Sequence, residues 1–435
     1  MTGHPSRREQ DEVVLVTRIK TVNKGNQALS AAWLAMLERS FPDARVRLLE
    51  RRPRHLIQHT LREVAAHPDP VAHFDAIARA LAALAPGPGL VGPAQAPGPI
   101  LLDEAVTPPA RFLELRQRLN LRGQLARFGR YAADYRRRLS AFQRARLVVI
   151  NPAGEFFPRE PQAAFYHLLD AHVAQKLGCP TAIVNHTMDI TDPTLRRIIP
   201  MVYRTLALVG FRDEKSVGAF TAMGGDLANV LVTPDLALTE HVRPTGSHRD
   251  RTVALAINVP EAAAHRYLDA WFEVITGLRA AGLEVVLVSN ELPVDLYFYE
   301  RVMARFPGLR IEGARLDHDK YAELLGTFDV VVTSRMHTGI LAMAAGTPVV
   351  PVEGSSFKIT GLFQELGFSA PVIRPLTDRW TAQVVERVVS VRASRAAASH
   401  EVNAKLGAVR ERIIAQLVPA LRQLADASAR QARPA

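Results

Sequence analysis

Hydrophobic residues along this chain follow two alternating rhythms. Short aliphatic and β-branched runs, the first being Val13-Val14-Leu15-Val16, alternate with longer stretches whose apolar positions recur at helical spacing, as in Leu29, Ala32, Trp33, Met36 and Leu37. The opening therefore reads as strand, loop and helix, with Gly25-Asn26 leading into the helix. Val46-Arg47-Leu48-Leu49 predicts a second strand, after which the rhythm breaks into a helical and loop region reaching about residue 145. Within it, Ala85 to Ile100 is too rich in proline and glycine for helix or strand and reads as a surface loop. Alternation resumes with strands at Leu147 to Ile150, Thr181 to Asn185, Leu206 to Phe211 and Asn229 to Val232, separated by helices over 163–176, 194–203 and from Glu214. The polar stretch His241 to His248 is the best linker. A second series follows at Val253 to Ile257, Val285 to Val288, Leu309 to Ile311, Val330 to Val332 and Val349 to Val352. The tail carries Val402, Leu406, Val409, Ile413, Leu417, Leu421 and Leu424 on one helical stripe, which predicts packing rather than freedom.

Strands separated by helices imply parallel pairing through right-handed crossovers. The fold class is therefore α/β, with two doubly wound Rossmann-like domains facing a cleft. The expected division is an N-terminal domain over 1–240 with a helical insertion at about 54–145, a C-terminal domain over 251–380, and closing helices over 381–435.

A chain of 435 residues suits two such cores. The 54 lysines and arginines against 43 acids leave a net charge of +11, which points to an anionic partner: nucleic acid, a lipid surface or a phosphorylated small molecule. A single cysteine, Cys179, excludes an internal disulfide and a cysteine zinc site. The N-terminus lacks an apolar signal core and no stretch reaches membrane-span length, so a cytoplasmic protein is expected. There is no GxxxxGK[ST] loop, GxSxG elbow or HExxH helix, and no metal ligands are assigned.

Ligands of doubly wound sheets bind beyond the carboxyl ends of the strands, so the residues directly after each run carry the candidate chemistry. Asn23 to Ala28 offers exposed helix-start N–H groups, or else only a tight turn capped by Asn26. Glu155 follows the next strand as a base or hydroxyl acceptor, or else a merely solvated carboxylate, and the cluster Asn185-His186-Thr187-Met188-Asp189 follows the one after as a substrate contact or simply a polar loop. In Phe211-Arg212-Asp213-Glu214-Lys215-Ser216, Arg212 can face a phosphate or carboxylate while Asp213 orients it. Pro234-Asp235 offers an acceptor of hydroxyls or a turn cap. Thr333-Ser334-Arg335-Met336-His337-Thr338-Gly339 aims a fixed cation and a titratable imidazole at one place beside a small-residue helix. Lys358 adds a cation after the last strand.

Taken together, the Asn23–Ala28 loop, Arg212-Asp213-Glu214-Lys215-Ser216, Pro234-Asp235, Ser334-Arg335-Met336-His337, the Ala344-Ala345-Gly346-Thr347-Pro348-Val349-Val350 segment and Lys358 resemble the polysaccharide pyruvyl transferase family. The resemblance implies a GT-B-like fold and transfer of pyruvate from phosphoenolpyruvate to two sugar hydroxyls as a cyclic ketal. It implies that Arg212, Arg335 and Lys358 bind the donor and that His337, with Arg335, carries the catalysis. Asn23, Asn26, Glu155, His186 and Asp235 would then face the saccharide acceptor. No cofactor is implied beyond the donor substrate. Two positions depart from the family pattern: Asn26 replaces an aspartate, and Pro152-Ala153-Gly154 replaces a more glycine-rich run.

Two other readings compete. A GT-B glycosyltransferase would use the same cations for a nucleotide sugar. A non-catalytic membrane or nucleic-acid binder would use the arginine- and aromatic-rich stretch 111–146, which reads more simply as an amphipathic helix with its arginines in solvent. Nucleic acid is not the expected partner; peripheral contact with the inner face of a membrane suits a lipid-linked acceptor.

Overall fold

A computed structural model describes residues 12–19, 21–51, 59–85, 100–102, 134–242, 246–259, 264–292, 294–354 and 356–431. The alternation yields two parallel sheets. The first contains β1 (Glu12–Thr17), β2 (Arg45–Glu50), β3 (Ile100–Leu102), β4 (Ala145–Ile150), β5 (Thr181–His186), β6 (Leu208–Phe211) and β7 (Val230–Val232), in the order β3-β2-β1-β4-β5-β6-β7. The second contains β8 (Thr252–Ala256), β9 (Glu284–Val288), β10 (Ile311–Glu312), β11 (Val330–Thr333) and β12 (Val349–Pro351), in the order β10-β9-β8-β11-β12. Every paired strand is parallel. β1, β4 and β11 are buried nearly along their whole length, as helices on both faces of a parallel sheet require.

The crossovers in the first half are α1 (Lys24–Ser40), α2 (Leu61–Ala65), α3 (Pro70–Ala82), α4 (134–144), α5 (Pro161–Lys176), α6 (Pro193–Tyr203) and α7 (Glu214–Thr221). α1 begins where the Asn23 side chain accepts from the Asn26 N–H at 3.1 Å, so the cap of this turn is Asn23 rather than Asn26. Its stripe of Leu29, Ala32, Trp33, Met36 and Leu37 is buried, as the spacing predicts. β3 is a strand that the proline-rich sequence before it conceals; residues 86–99 lie outside the described residues.

Much of the basic stretch 111–146 also lies outside them, but its last part does not behave as a solvated face. Arg138 of α4 is buried in a bidentate pair with Asp170 of α5, a correction to the expectation that these arginines face solvent. Its neighbour Arg137 pairs with Asp134, where both side chains are exposed.

The second lobe adds α8 (Ala264–Ala280), α9 (Leu296–Arg305), α10 (His318–Leu325), α11 (Met336–Ala344) and α12 (Lys358–Glu365), and the chain closes with α13 (Trp380–Ala393) and α14 (Arg395–Gln431). Trp380 of α13 meets Trp271 of α8 edge to face at 5.5 Å, which keeps α13 on the second lobe. α14 then crosses to the first: Arg410 donates to the Leu238 carbonyl at 2.8 Å and Arg422 to the Ser40 carbonyl at 3.0 Å. Its predicted stripe, from Val402 to Leu421, joins one apolar cluster that also holds Val13 and Leu15 of β1 and Ala254 and Val286 of the second sheet. The two lobes thus share a core. Among the described residues, no helix is long and apolar enough to cross a membrane.

Candidate active site in the interlobe cleft

Strand order reverses between β1 and β4 in one sheet and between β8 and β11 in the other, and the segments that follow β1 and β11 meet where the His337 ring lies over Gly25. Arg212, directly after β6, has its side chain only 3% exposed. Its Nε donates to the Asn185 carbonyl at 2.7 Å and lies 3.0 Å from Asp235 Oδ2. Both terminal nitrogens, Nη1 and Nη2, are buried without a hydrogen-bond partner. Burial lowers its pKa, opposed by Asp235 and Asp213. A buried guanidinium fork with two open donors is suited to receive an anion.

Asn185 aims that fork. It takes a left-handed backbone conformation, φ 58°, beside an irregularity in the β5–β6 pairing. Its side chain donates to the Pro234 carbonyl at 3.2 Å and accepts from the Leu236 N–H at 3.1 Å, so its own carbonyl is fixed toward Arg212. Asp213 does not orient Arg212 as the sequence suggests. It caps α7, accepting from the Ser216 N–H at 2.8 Å, and Asp235 takes the orienting place. Asp235 also caps the short turn after β7, at 2.9 Å from the Ala237 N–H.

From the second lobe, Lys358 reaches over and donates to the Gly154 carbonyl at 2.8 Å, with its ammonium 4.1 Å from the centre of the Phe157 ring. Burial, and then the charge of Arg212, lower its pKa to about 8. A Cβ at Gly154 would lie 3.0 Å from this ammonium, so the glycine permits the approach. Asp189 is a half-buried carboxyl whose pKa is raised by burial; Lys358 opposes the shift and Asp213 adds to it.

His337, near the start of α11, is brought to the first lobe as well. Its Nε2 lies 3.5 Å from Asp235 Oδ2, and its ring occupies the space above Gly25, where a Cβ would come within 2.3 Å. Asp235 thus faces both Arg212 and His337. Burial works to raise its pKa, but those two partners outweigh it and the carboxyl titrates below its ordinary value.

Arg335 has a different setting. Its guanidinium pairs with Asp295 and stands 3.9 Å from Glu291, both in the loop after β9. Burial acts against its charge, yet these carboxylates raise its pKa.

The residues expected at the acceptor surface separate. Asn23 lies at the seam, donating to Glu291 at 2.6 Å, and Asn26 is buried in the first turn of α1. Glu155 is instead held in the core between Arg51 at 2.7 Å and His167 at 2.8 Å. His186 does not reach the cleft: it is fully buried among Phe156, Phe211 and Tyr203, bonds the Tyr203 hydroxyl at 2.9 Å, and burial lowers its pKa to about 3. In β5, Asn185 turns left-handed to serve Arg212, and the side chain after it is committed to the aromatic layer.

The sequence places Asn185 in a polar strand-end cluster without marking its role toward Arg212, and sequence reasoning missed Glu291 and Asp295. The strand-end rule reaches the last two if it is applied to Ser289-Asn290-Glu291, directly after β9.

Two parallel-sheet lobes sharing a charged cleft define a GT-B architecture. Solved structures agree: over 98% of this chain and 99% of the other, it matches the α,α-trehalose 6-phosphate synthase of Burkholderia multivorans with TM-score 0.55 and 13% identity. Against Anabaena HepE, solved with UDP and glucose, coverage is 96% and 99%, TM-score 0.51 and identity 13%. Against S. aureus MnaA with UDP it is 93% and 95%, TM-score 0.51 and identity 10%. Such identities establish the fold alone. No curated protein matches the sequence. The sequence model of the polysaccharide pyruvyl transferase family matches residues 23–356, and the chain belongs to that family.

Proposed function

We propose that the protein transfers pyruvate from phosphoenolpyruvate to two hydroxyls of a saccharide acceptor, forming a cyclic ketal and releasing phosphate. Family membership supports pyruvyl transfer. The observation that carries the donor is the buried Arg212 fork, with two unpartnered nitrogens beside the Lys358 ammonium. Phosphoenolpyruvate presents a phosphate and a carboxylate, and a bidentate guanidinium with an adjacent ammonium matches one of these and neutralises the other.

In the proposed reaction a proton adds to the methylene carbon of the donor, leaving C2 electron-deficient. One acceptor hydroxyl forms a bond to C2 and loses its proton. The C2–O bond to phosphate then breaks, phosphate leaves, and the second hydroxyl closes the ketal with loss of its own proton. His337, coupled to Asp235, is the group suited to take or return these protons, a role typically contributing about 10²–10⁴-fold. Asn23 and Asn26, at the start of α1, are the acceptor-side residues of this reading. A lipid-linked acceptor at the inner face of a membrane belongs to the same proposal.

The competing use of this fold is transfer from a nucleotide sugar, since HepE was solved with UDP and glucose. Thermal stabilisation by phosphoenolpyruvate and not by UDP-glucose is expected, together with phosphate release on adding a saccharide acceptor and a product heavier by one pyruvate less one water. Stabilisation by UDP-glucose alone would overturn the proposal.

A further inference from the structure

Family resemblance assigns both strand-end arginines to the donor, yet their surroundings differ: Arg335 leaves only its Nε without a hydrogen-bond partner, whereas Arg212 leaves both terminal nitrogens. Around Arg335, two carboxylates face one guanidinium: Asp295 pairs with it directly and Glu291 stands 3.9 Å away. The Lys24 ammonium also interacts with these two acids, so two carboxylates face two cations and a dianion arriving there meets charges already compensated. Arg212 has Asp235 3.0 Å from its Nε, but both of its terminal nitrogens are open and Lys358 adds positive charge.

We infer that Arg335 is a positioning residue, the centre of an interlobe strut with Asp295 and Glu291 that seats His337 against the first lobe, and that it is not a ligand of the donor. The strut can be followed contact by contact. Asp295 is anchored in its own loop, accepting from the Ser289 hydroxyl at 3.0 Å and the Glu291 N–H at 2.8 Å. Glu291 reaches Arg335 on one side and accepts from Asn23 Nδ2 at 2.6 Å on the other. The next residue of the first lobe, Lys24, donates its N–H to the Asn290 carbonyl at 3.2 Å and its ammonium to the Ala314 carbonyl at 2.9 Å. Lys24 is 1% exposed, and its ammonium lies 5.7 Å from the centre of the Tyr321 ring. One residue further, Gly25 receives the ring of His337, itself two positions after Arg335. The strut therefore fixes α1 and α11 together on either side of the imidazole that must meet the reacting atoms. Placement of that kind controls turnover while leaving ground-state donor affinity nearly unchanged.

The kinetic arm of the test rests on the donor reading above; a second arm does not. In full-length protein, Arg335→Gln and Glu291→Gln are expected to lower kcat by at least about tenfold while changing KM for phosphoenolpyruvate by less than about threefold. Arg335→Lys, which keeps a cation against Asp295, is expected to recover part of the loss. Arg212→Gln is expected to abolish phosphoenolpyruvate binding. Independently of any ligand, Asp295→Asn and Glu291→Gln should accelerate amide hydrogen exchange in peptides covering 22–28 and 336–344 by about tenfold. If Arg335→Gln weakens phosphoenolpyruvate binding as much as Arg212→Gln does, the inference is overturned. Unchanged exchange in both carboxylate variants overturns it too. Should the unmodified protein fail to bind phosphoenolpyruvate, the donor reading falls and the exchange arm alone decides the strut.

Discussion

Arg212, Lys358 and His337 each lie directly after a strand or at the helix that follows one, and each acquires its properties from residues distant in sequence. Lys358 illustrates the consequence. Burial first, and then the nearby Arg212, bring its ammonium down to about 8 from an ordinary 10.5. Below about pH 8 it carries the charge that an anionic donor needs, and above it the charge is lost. Phosphoenolpyruvate affinity in the free protein is therefore expected to fall as pH rises through that value. Lys358→Gln should weaken binding at about pH 7 and flatten the profile. The sign for stability is the reverse: between about 8 and 10.5 the unfolded chain holds the proton more tightly, so the Lys358 contribution to stability rises with pH over that window. Dissociation constants and unfolding midpoints measured from about pH 6.5 to about 9.5 separate the two. A donor affinity that stays constant across pH 8 would remove Lys358 from the seat.

At the scale of elements, α1 and α11 meet through a glycine and an imidazole. Gly25→Ala places a methyl group within 2.3 Å of the His337 ring. In a helix alanine is favoured over glycine by about 1 kcal/mol, and the ring can be pushed aside, so the melting temperature should change by only a few degrees. Activity should not survive so well: displacement of a proton-transfer group by an ångström or more costs about 10²-fold. Turnover within a factor of two of the unmodified protein would show that His337 works from some other position. The Arg212 seat depends on elements in the same way. β5 supplies the left-handed Asn185 carbonyl and the turn after β7 supplies Asp235, so neither strand alone defines the site.

For the molecule as a whole, α14 is the element that turns two lobes into one cooperative unit. Ile413 is fully buried in the apolar cluster that runs through both sheets. Ile413→Ala is expected to cost about 2–5 kcal/mol and to lower a single unfolding transition rather than detach one lobe. Two resolved transitions by calorimetry would mean that the lobes melt independently despite the shared core. The net charge of +11 also takes a different meaning at this scale. Several of its arginines are structural: Arg138 is buried against Asp170, Arg422 and Arg410 tie α14 to the first lobe, and Arg335 holds two acids.

Local pattern was enough for the alternation of strands and helices, the two-sheet α/β class, the packed tail stripe and the positions directly after strands. Each of these follows from the periodicity of side chains along a helix or strand and from where parallel sheets expose their ends. The proline-rich run before Ile100 hid β3, because a three-residue edge strand leaves almost no periodic signal. The division of labour among charged residues was beyond local pattern altogether. Glu155 follows β4, His186 ends β5 and Arg212 comes directly after β6, yet Glu155 is locked between Arg51 and His167 while His186 is enclosed by aromatic rings. Arg212 and Arg335 are the same chemical group at equivalent places, and only their neighbours separate an open anion seat from a compensated strut. Those neighbours, Asn185 and Asp235 for one, Glu291 and Asp295 for the other, arrive through crossovers and loops. Charge compensation depends on distances of a few ångströms between segments remote in sequence, and folding is what sets those distances.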